Sequence, residues 1–277
     1  DTAAKKREDG MTPYDDFLDY LYECELSENT ISSYRYSLKE FFAKFSEFNK
    51  TNAIQYKKWL IGCRKSKTIA LRITALNKYA DFIGRPQEKI KRIKIQKQLY
   101  VENVPNDEEY GRVCEYARKH NQKAYWLVRF LAGTGMRISE LTKLKGICLI
   151  EGCARMHSKG KQRLILIPKN LIEDSKEFFR EKAADDPLFL SRNGKPLTTR
   201  AAAMQLKSIG CKAGVRKEVM HPHAFRHYFA IKMLKATGND ISLVSSYLGH
   251  SNIATTAIYT MRTKDEQVNL LNAQMSW

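Results

Sequence analysis

Apolar side chains recur every three or four residues through most of the first hundred positions. That period commits this half of the chain to amphipathic helices. Tyr14, Phe17, Leu18 and Leu21 mark one helical face. Thr12 stands at a capping position, Pro13 at a first helical position, and Asp15 and Asp16 in the first turn. Ser27 opens a second helix carrying Ile31, Tyr34, Leu38, Phe41, Phe42 and Phe45. A third is expected near residues 52–62. Ser66 opens a fourth with Ile69, Ile73, Leu76, Tyr79, Ala80 and Ile83, and Gly84 follows where a left-handed cap belongs. Short helices of this kind bury their apolar faces against one another, so a small helical bundle is expected.

The second half changes character. Helical patterns cover residues 107–118, 122–132 and 138–144, and then three short β-prone runs follow at 147–150, 154–157 and 164–167. The last two flank Ser158-Lys159-Gly160-Lys161-Gln162, a turn suited to a hairpin. Helices resume at 171–182, 198–213, 223–236 and 241–248. The expected class is mainly α with a small β-sheet (α+β), in two domains. Residues 1–10 read as a disordered or appended lead-in, 11–84 as the helical domain, 85–103 as a basic interdomain linker, and 104–277 as the larger domain with a tail from about 260.

Charge narrows the partners. The formal net charge is +18, a surplus that favours nucleic acid, whose phosphates release counterions to Lys and Arg. Thirteen cations fall between positions 57 and 97, opposed only by Asp81 and Glu88. Lys57, Lys58, Arg64, Lys65, Lys67, Arg72, Lys91, Arg92 and Lys94 from that run are candidate DNA contacts, as is Lys161 in the hairpin. Apolar stretches are too short to span a membrane, and no secretory signal is read. The six cysteines form no C-x-x-C pair and read as reduced thiols of a cytoplasmic protein.

Four segments carry candidate chemistry. Gly133-Thr134-Gly135-Met136-Arg137-Ile138-Ser139-Glu140-Leu141 sets Arg137 at a glycine-rich helix junction, where a guanidinium can meet a phosphate. Lys159 sits at the hairpin tip, where a cation can enter a groove or act as an acid. His221-Pro222-His223-Ala224-Phe225-Arg226-His227 puts His223 and Arg226 on one face at a helix start; His221 and His227 read as structural or surface residues. The three histidines lack further ligands at zinc spacing, so no metal is expected. Finally, Leu248-Gly249-His250-Ser251 leads to Tyr259, nine residues beyond His250. Each segment alone has an ordinary structural reading.

In order, however, the four resemble the tyrosine recombinase family of the phage integrase and Xer type. The G-T-G-x-R-x-S-E-L box is matched at 133–141, the lysine hairpin at 158–163, H-x-x-R at 223–226, and L-G-H-S-x-x-x-T-T-x-x-Y-T at 248–260. Residues 26–34, Leu-Ser-Glu-Asn-Thr-Ile-Ser-Ser-Tyr, are similar to the start of that family's helical core-binding (SAM-like) domain. Departures are Ser158 for the usual Gly, Ala224 and Phe225 for Asp and Leu, and no Asp at 145–149.

The resemblance implies a site-specific recombinase that cleaves and rejoins DNA through a 3′-phosphotyrosine, for integration, excision, inversion or resolution. It makes Tyr259 the nucleophile. Arg137, Arg226 and His250 become phosphate ligands, His223 a proton acceptor, Lys159 the acid, and Glu140 a support. It implies no cofactor. The partners are double-stranded DNA bearing a recombination site and three further copies of the chain on two such sites, joined by exchange of the tail, with accessory DNA-bending proteins as further candidates. The alternatives are a type IB topoisomerase and a catalytically idle DNA-binding regulator.

Overall fold

The structure, a computed structural model, describes residues 12–94, 103–158, 161–249, 253–260 and 272–273. The chain divides into two compact units, 1–97 and 98–277.

The first unit is a bundle of α1 (Asp15–Glu23), α2 (Glu28–Phe42), α3 (Lys50–Cys63) and α4 (Ser66–Phe82). Ser27 caps α2 by accepting the Thr30 N–H, and Asn49 caps α3 by accepting that of Asn52. Thr12 does not cap α1: the helix starts later, at Asp15, whose carboxylate accepts the Thr12 N–H instead. Phe41 lies at the centre, fully buried, with its ring against those of Phe42, Phe45, Phe48 and Tyr56. Burying a side chain of this size contributes about 1.5–3 kcal/mol.

Part of the expected linker belongs to this bundle. Ile90 is buried, and both its N–H and its carbonyl are held by the Asn77 side chain. Lys57 donates to the Lys91 carbonyl. An apolar Ile every few residues in a basic run is enough to dock it.

The second unit contains α5 (Asp107–His120), α6 (Gln122–Thr134), α7 (Ile138–Leu141), α8 (Ile147–Glu151), β1 (Cys153–Ser158), β2 (Lys161–Leu166), α9 (Lys169–Phe179), α10 (Thr199–Lys212), α11 (Pro222–Ala236), α12 (Ile241–Leu248) and α13 (Ala254–Ala257), followed by a 3-10 turn at Ile258–Thr260. Helix α6 is its hub, burying Trp126, Leu127, Val128, Phe130 and Leu131. The antiparallel pair β1–β2 runs in register from Cys153 opposite Leu166 to Ser158 opposite Lys161. Residues 147–150, expected as a strand, form α8 instead, closed by Gly152 in the left-handed conformation. Four apolar residues cannot distinguish a strand from one helical turn by period. Among the described residues no helix is long and apolar enough to cross a membrane.

Candidate active site

Two left-handed glycine caps fix the scaffold. Gly135 ends α6 and Gly249 ends α12. A Cβ on Gly135 would overlap the Phe229 ring, and one on Gly249 would lie 2.5 Å from Cδ and Nε of Arg163. Both positions therefore need glycine for conformation and for space.

Arg226 on α11 is 1% exposed. Its Nη1 donates to the Gly135 carbonyl and its Nη2 to the Leu248 carbonyl, each at 2.6 Å. Those carbonyls lie at the C-terminal ends of α6 and α12, where the helix dipole favours a cation. One side chain thus ties together the G-T-G turn and the turn before His250. Burial, with Arg137 and Arg163 nearby, pushes the Arg226 pKa down to about 10, so it remains charged at neutral pH.

Arg137 occupies the N-cap position of α7. Glu140, one turn on and buried, accepts the Arg137 backbone N–H at 2.6 Å and its Nη1 at 3.1 Å. The Arg137 side chain is 42% exposed, the most accessible cation of the group. Beneath it lies Arg163 of β2, whose Nη1 reaches both Glu140 oxygens at 2.8 and 2.9 Å and whose Nη2 donates to the Tyr247 carbonyl at 2.9 Å. Its Nε is buried with no hydrogen-bond partner among the described residues. Burial lowers the Arg163 pKa, Glu140 opposes the shift, and Arg137 adds to it. Three guanidiniums thus feel one another and the Glu140 carboxylate, an arrangement that favours an incoming oxyanion.

Tyr259, in the 3-10 turn, is 7% exposed. Burial raises its pKa, while Arg226 and Arg137 pull the other way. Its hydroxyl lies 2.7 Å from Nδ1 of His227. His223, one helical turn before His227, is exposed on the rim, and the two imidazoles meet edge to face with centroids 5.0 Å apart. Partial burial and then the Arg226 cation lower the His223 pKa, so the ring is neutral at neutral pH. His221 is structural: its Nδ1 accepts the Ala224 N–H and caps α11.

Arg137, Glu140, Arg226 and Tyr259 are therefore drawn into one cluster. Lys159 and His250 lie outside the described residues, as does most of the tail after Thr260; Lys161 is placed only by its backbone in β2. Two members were missed. Arg163 shares strand parity with the buried Ile165 and Ile167, which marks it as inward-facing. His227 has a structural or surface reading in sequence, yet it follows His223 by four residues and so shares its helical face.

In the bundle, Arg72 must be withdrawn as a DNA contact. It is 8% exposed, donating to Glu40 and Ser37. Its place in α4, between Ile69 and Ile73, puts it on the buried face. Lys58, Arg64, Lys65, Lys67, Lys91, Arg92 and Lys94 are exposed, and Lys57 is half-buried. Among the described residues no group of three or more His, Cys, Asp or Glu could hold a metal ion.

Residues 106–266 match the phage integrase family, and residues 14–87 match the phage integrase N-terminal SAM-like domain. The chain is similar to tyrosine recombinase XerA of Pyrococcus furiosus, 32% identical over 93% of this chain and 94% of that protein. It is 29% identical to tyrosine recombinase XerD of Staphylococcus saprophyticus, over 89% of this chain and 92% of that one. Among solved structures, XerH recombinase bound to its difH substrate before cleavage matches 89% of this chain and 80% of its own, with TM-score 0.68 and 22% identity. A lambda integrase dimer bound to a COC′ core site matches 88% and 93%, with TM-score 0.72 and 15% identity.

Proposed function

We propose that this chain, which belongs to the phage integrase family and is a tyrosine recombinase of site-specific recombination, cleaves DNA with Tyr259 as nucleophile and holds the strand end as a 3′-phosphotyrosine. The observation that carries this reading is the cluster of Arg137, Arg163 and Arg226 around the one carboxylate of Glu140, beside a buried phenol.

Attack of Tyr259 on a scissile phosphate gathers negative charge on its non-bridging oxygens. Arg137, the accessible cation, binds those oxygens. Arg226 supplies a fixed positive field from its place between two helix ends, so little reorganisation is needed as charge develops. His223 lines the rim of the same site, and His250, next to the Gly249 cap, adds a further donor to the phosphate. Lys159, which falls between β1 and β2 in the sequence, protonates the departing 5′ oxygen. Energy of the cleaved bond is kept in the phosphotyrosine, so a 5′ hydroxyl of another strand can reverse the step without an external energy source.

The DNA partner is supported by the relatives' complexes and by the exposed cations. Arg64, Lys65 and Lys67 cluster at the turn between α3 and α4, Lys58 lies within α3, and Lys91, Arg92 and Lys94 come after α4. These make phosphate contacts with little sequence content. Two strands must be exchanged between two duplexes, so four copies act together, as in the lambda integrase tetramer bound to a Holliday junction; the tail beyond Thr260 is the segment we assign to contact between copies.

The test is covalent trapping. A DNA site nicked next to the scissile phosphate should give a protein–DNA adduct stable to denaturant, attached at the DNA 3′ end. Tyr259→Phe should bind the same DNA and give none. An adduct formed by Tyr259→Phe would move the nucleophile elsewhere.

A further inference from the structure

The imidazole found on the phenol is that of His227. Its Nδ1 is 2.7 Å from the Tyr259 hydroxyl, with the ring centroids 5.0 Å apart and the planes at 52°. His227 directly follows the immobilised Arg226 on α11, so its backbone is fixed by the same ties that hold the arginine. It packs on the exposed His223 edge to face, which gives an inner imidazole on the nucleophile and an outer one toward the rim. A phenol is a poor nucleophile while it keeps its proton, and this one is buried. Some group within hydrogen-bond reach must take that proton.

We propose that His227 is a catalytic residue that takes the phenolic proton of Tyr259 during strand cleavage and returns it during rejoining. This rests on Tyr259 being the nucleophile. In cleavage, Oη of Tyr259 bonds to phosphorus and the bond from phosphorus to the 5′ oxygen breaks. The phenolic proton passes to Nδ1 of His227, whose other proton is on Nε2. The electron pair of the broken bond leaves on the 5′ oxygen, which is protonated by a separate acid. In rejoining, a 5′ hydroxyl attacks phosphorus, Tyr259 leaves as phenolate, and the His227 imidazolium returns the proton. His223 then serves the phosphate side of the site and not the phenol.

The experiment uses the full chain and a nicked DNA site under single-turnover conditions, reading DNA binding and the rate of adduct formation separately. His227→Ala should bind DNA as the parent does and form adduct about 10²-fold more slowly. Free imidazole should restore part of that rate and leave the parent unchanged. His227→Asn, which can accept a hydrogen bond but not a proton at neutral pH, should be as slow as His227→Ala. Putting 3,5-difluorotyrosine at position 259, a phenol that ionises more readily, should shrink the defect of His227→Ala. The proposal is overturned by a His227→Ala rate within about threefold of the parent, by full activity of His227→Asn, or by a defect that neither imidazole nor fluorination relieves. Adduct formation by Tyr259→Phe, run alongside, would instead remove the premise that Tyr259 is the nucleophile.

Discussion

Each unit of this protein builds a cluster of arginines on one glutamate, half-buried Glu40 in the bundle and buried Glu140 in the larger unit, and the two clusters are balanced differently. In the bundle, Glu40 accepts from Tyr56, Arg64 and Arg72 at 2.7, 2.7 and 2.9 Å. Of the two arginines only Arg72 is buried; the Arg64 side chain is 40% exposed and water shares its charge. Glu40 raises the Arg64 pKa, so the cation sits easily. In the larger unit, Glu140 serves Arg137 and Arg163 while Arg226 stands fully buried on backbone carbonyls. Burial and mutual repulsion lower the pKa values of Arg163 and Arg226. A cluster whose charges are settled is a piece of core. A cluster whose cations lower one another's pKa favours an incoming anion, and the rest of the fold must carry its cost.

The hardest test of that contrast is Arg226→Ala. It should abolish adduct formation and also lower stability by about 3–5 kcal/mol, because two buried carbonyls lose their donor and a large side chain leaves a void. Urea unfolding and covalent trapping read the two losses. Arg226→Lys keeps the charge but not the fork, so it should recover part of the stability and little of the cleavage. If Arg226→Ala matched the parent in stability, the two helix ends would not depend on this guanidinium, and the frustrated cluster would be cheap after all.

A paired substitution measures the imbalance directly. Glu140→Gln takes away the carboxylate that Arg137 and Arg163 share and should cost about 2–4 kcal/mol. Glu40→Gln leaves Arg72 buried but lets Arg64 turn to solvent, and should cost about 1–2 kcal/mol. Inorganic phosphate should recover part of the loss in Glu140→Gln, by mass action at the vacated anion position, and none of it in Glu40→Gln. Equal losses, or equal recovery by phosphate, would erase the distinction between the two clusters.

This contrast also explains what could be read from the sequence. Helix periods and caps are local, so Ser27, Ser66 and Gly84 mark boundaries to within a residue of where they fall. The ordered motifs are local too, which is why Arg137, Arg226 and Tyr259 were legible before any fold. The failures are long-range. Arg72 looks like any other cation in a basic run until Glu40 and Ser37, more than thirty residues earlier, claim it. His227 looks like a surface histidine until the 3-10 turn at Ile258–Thr260 brings a phenol to it. Arg163 is the partial case: strand parity turns it inward, but nothing nearby in sequence names Glu140 and Tyr247 as its partners. Residues 147–150 failed for a different reason, since one apolar turn has no period of its own and the choice fell to the Gly152 cap.

The smallest expected effect separates the units by pH. All six histidines lie beyond residue 97, so the bundle has none. Burial, followed by the Arg226 cation for His223 and by Lys207 for His221, holds both pKa values below the ordinary histidine value of 6.5. The folded state therefore binds a proton less readily than the unfolded state. Stability from these groups is complete above about pH 6.5 and declines as pH falls through the folded pKa values. In the bundle the sensitive group is Glu40. Burial raises its pKa, but the bonds from Tyr56, Arg64 and Arg72 outweigh that and the net shift is downward. Its contribution is complete above the ordinary glutamate value of 4.5 and is lost as pH falls through the lower folded value. Urea midpoints should thus fall first in the larger unit, once pH drops below about 6.5, and only below about pH 4.5 in the bundle. Trp126 reads the former in a Trp59→Phe, Trp277→Phe chain, and Trp59 reads the latter in a Trp126→Phe, Trp277→Phe chain. His221→Gln with His223→Gln should flatten the first decline, and Glu40→Gln the second. Midpoints that fell together at both tryptophans would mean that the two units share one proton-linked transition, and that their charge clusters cannot be treated as separate devices.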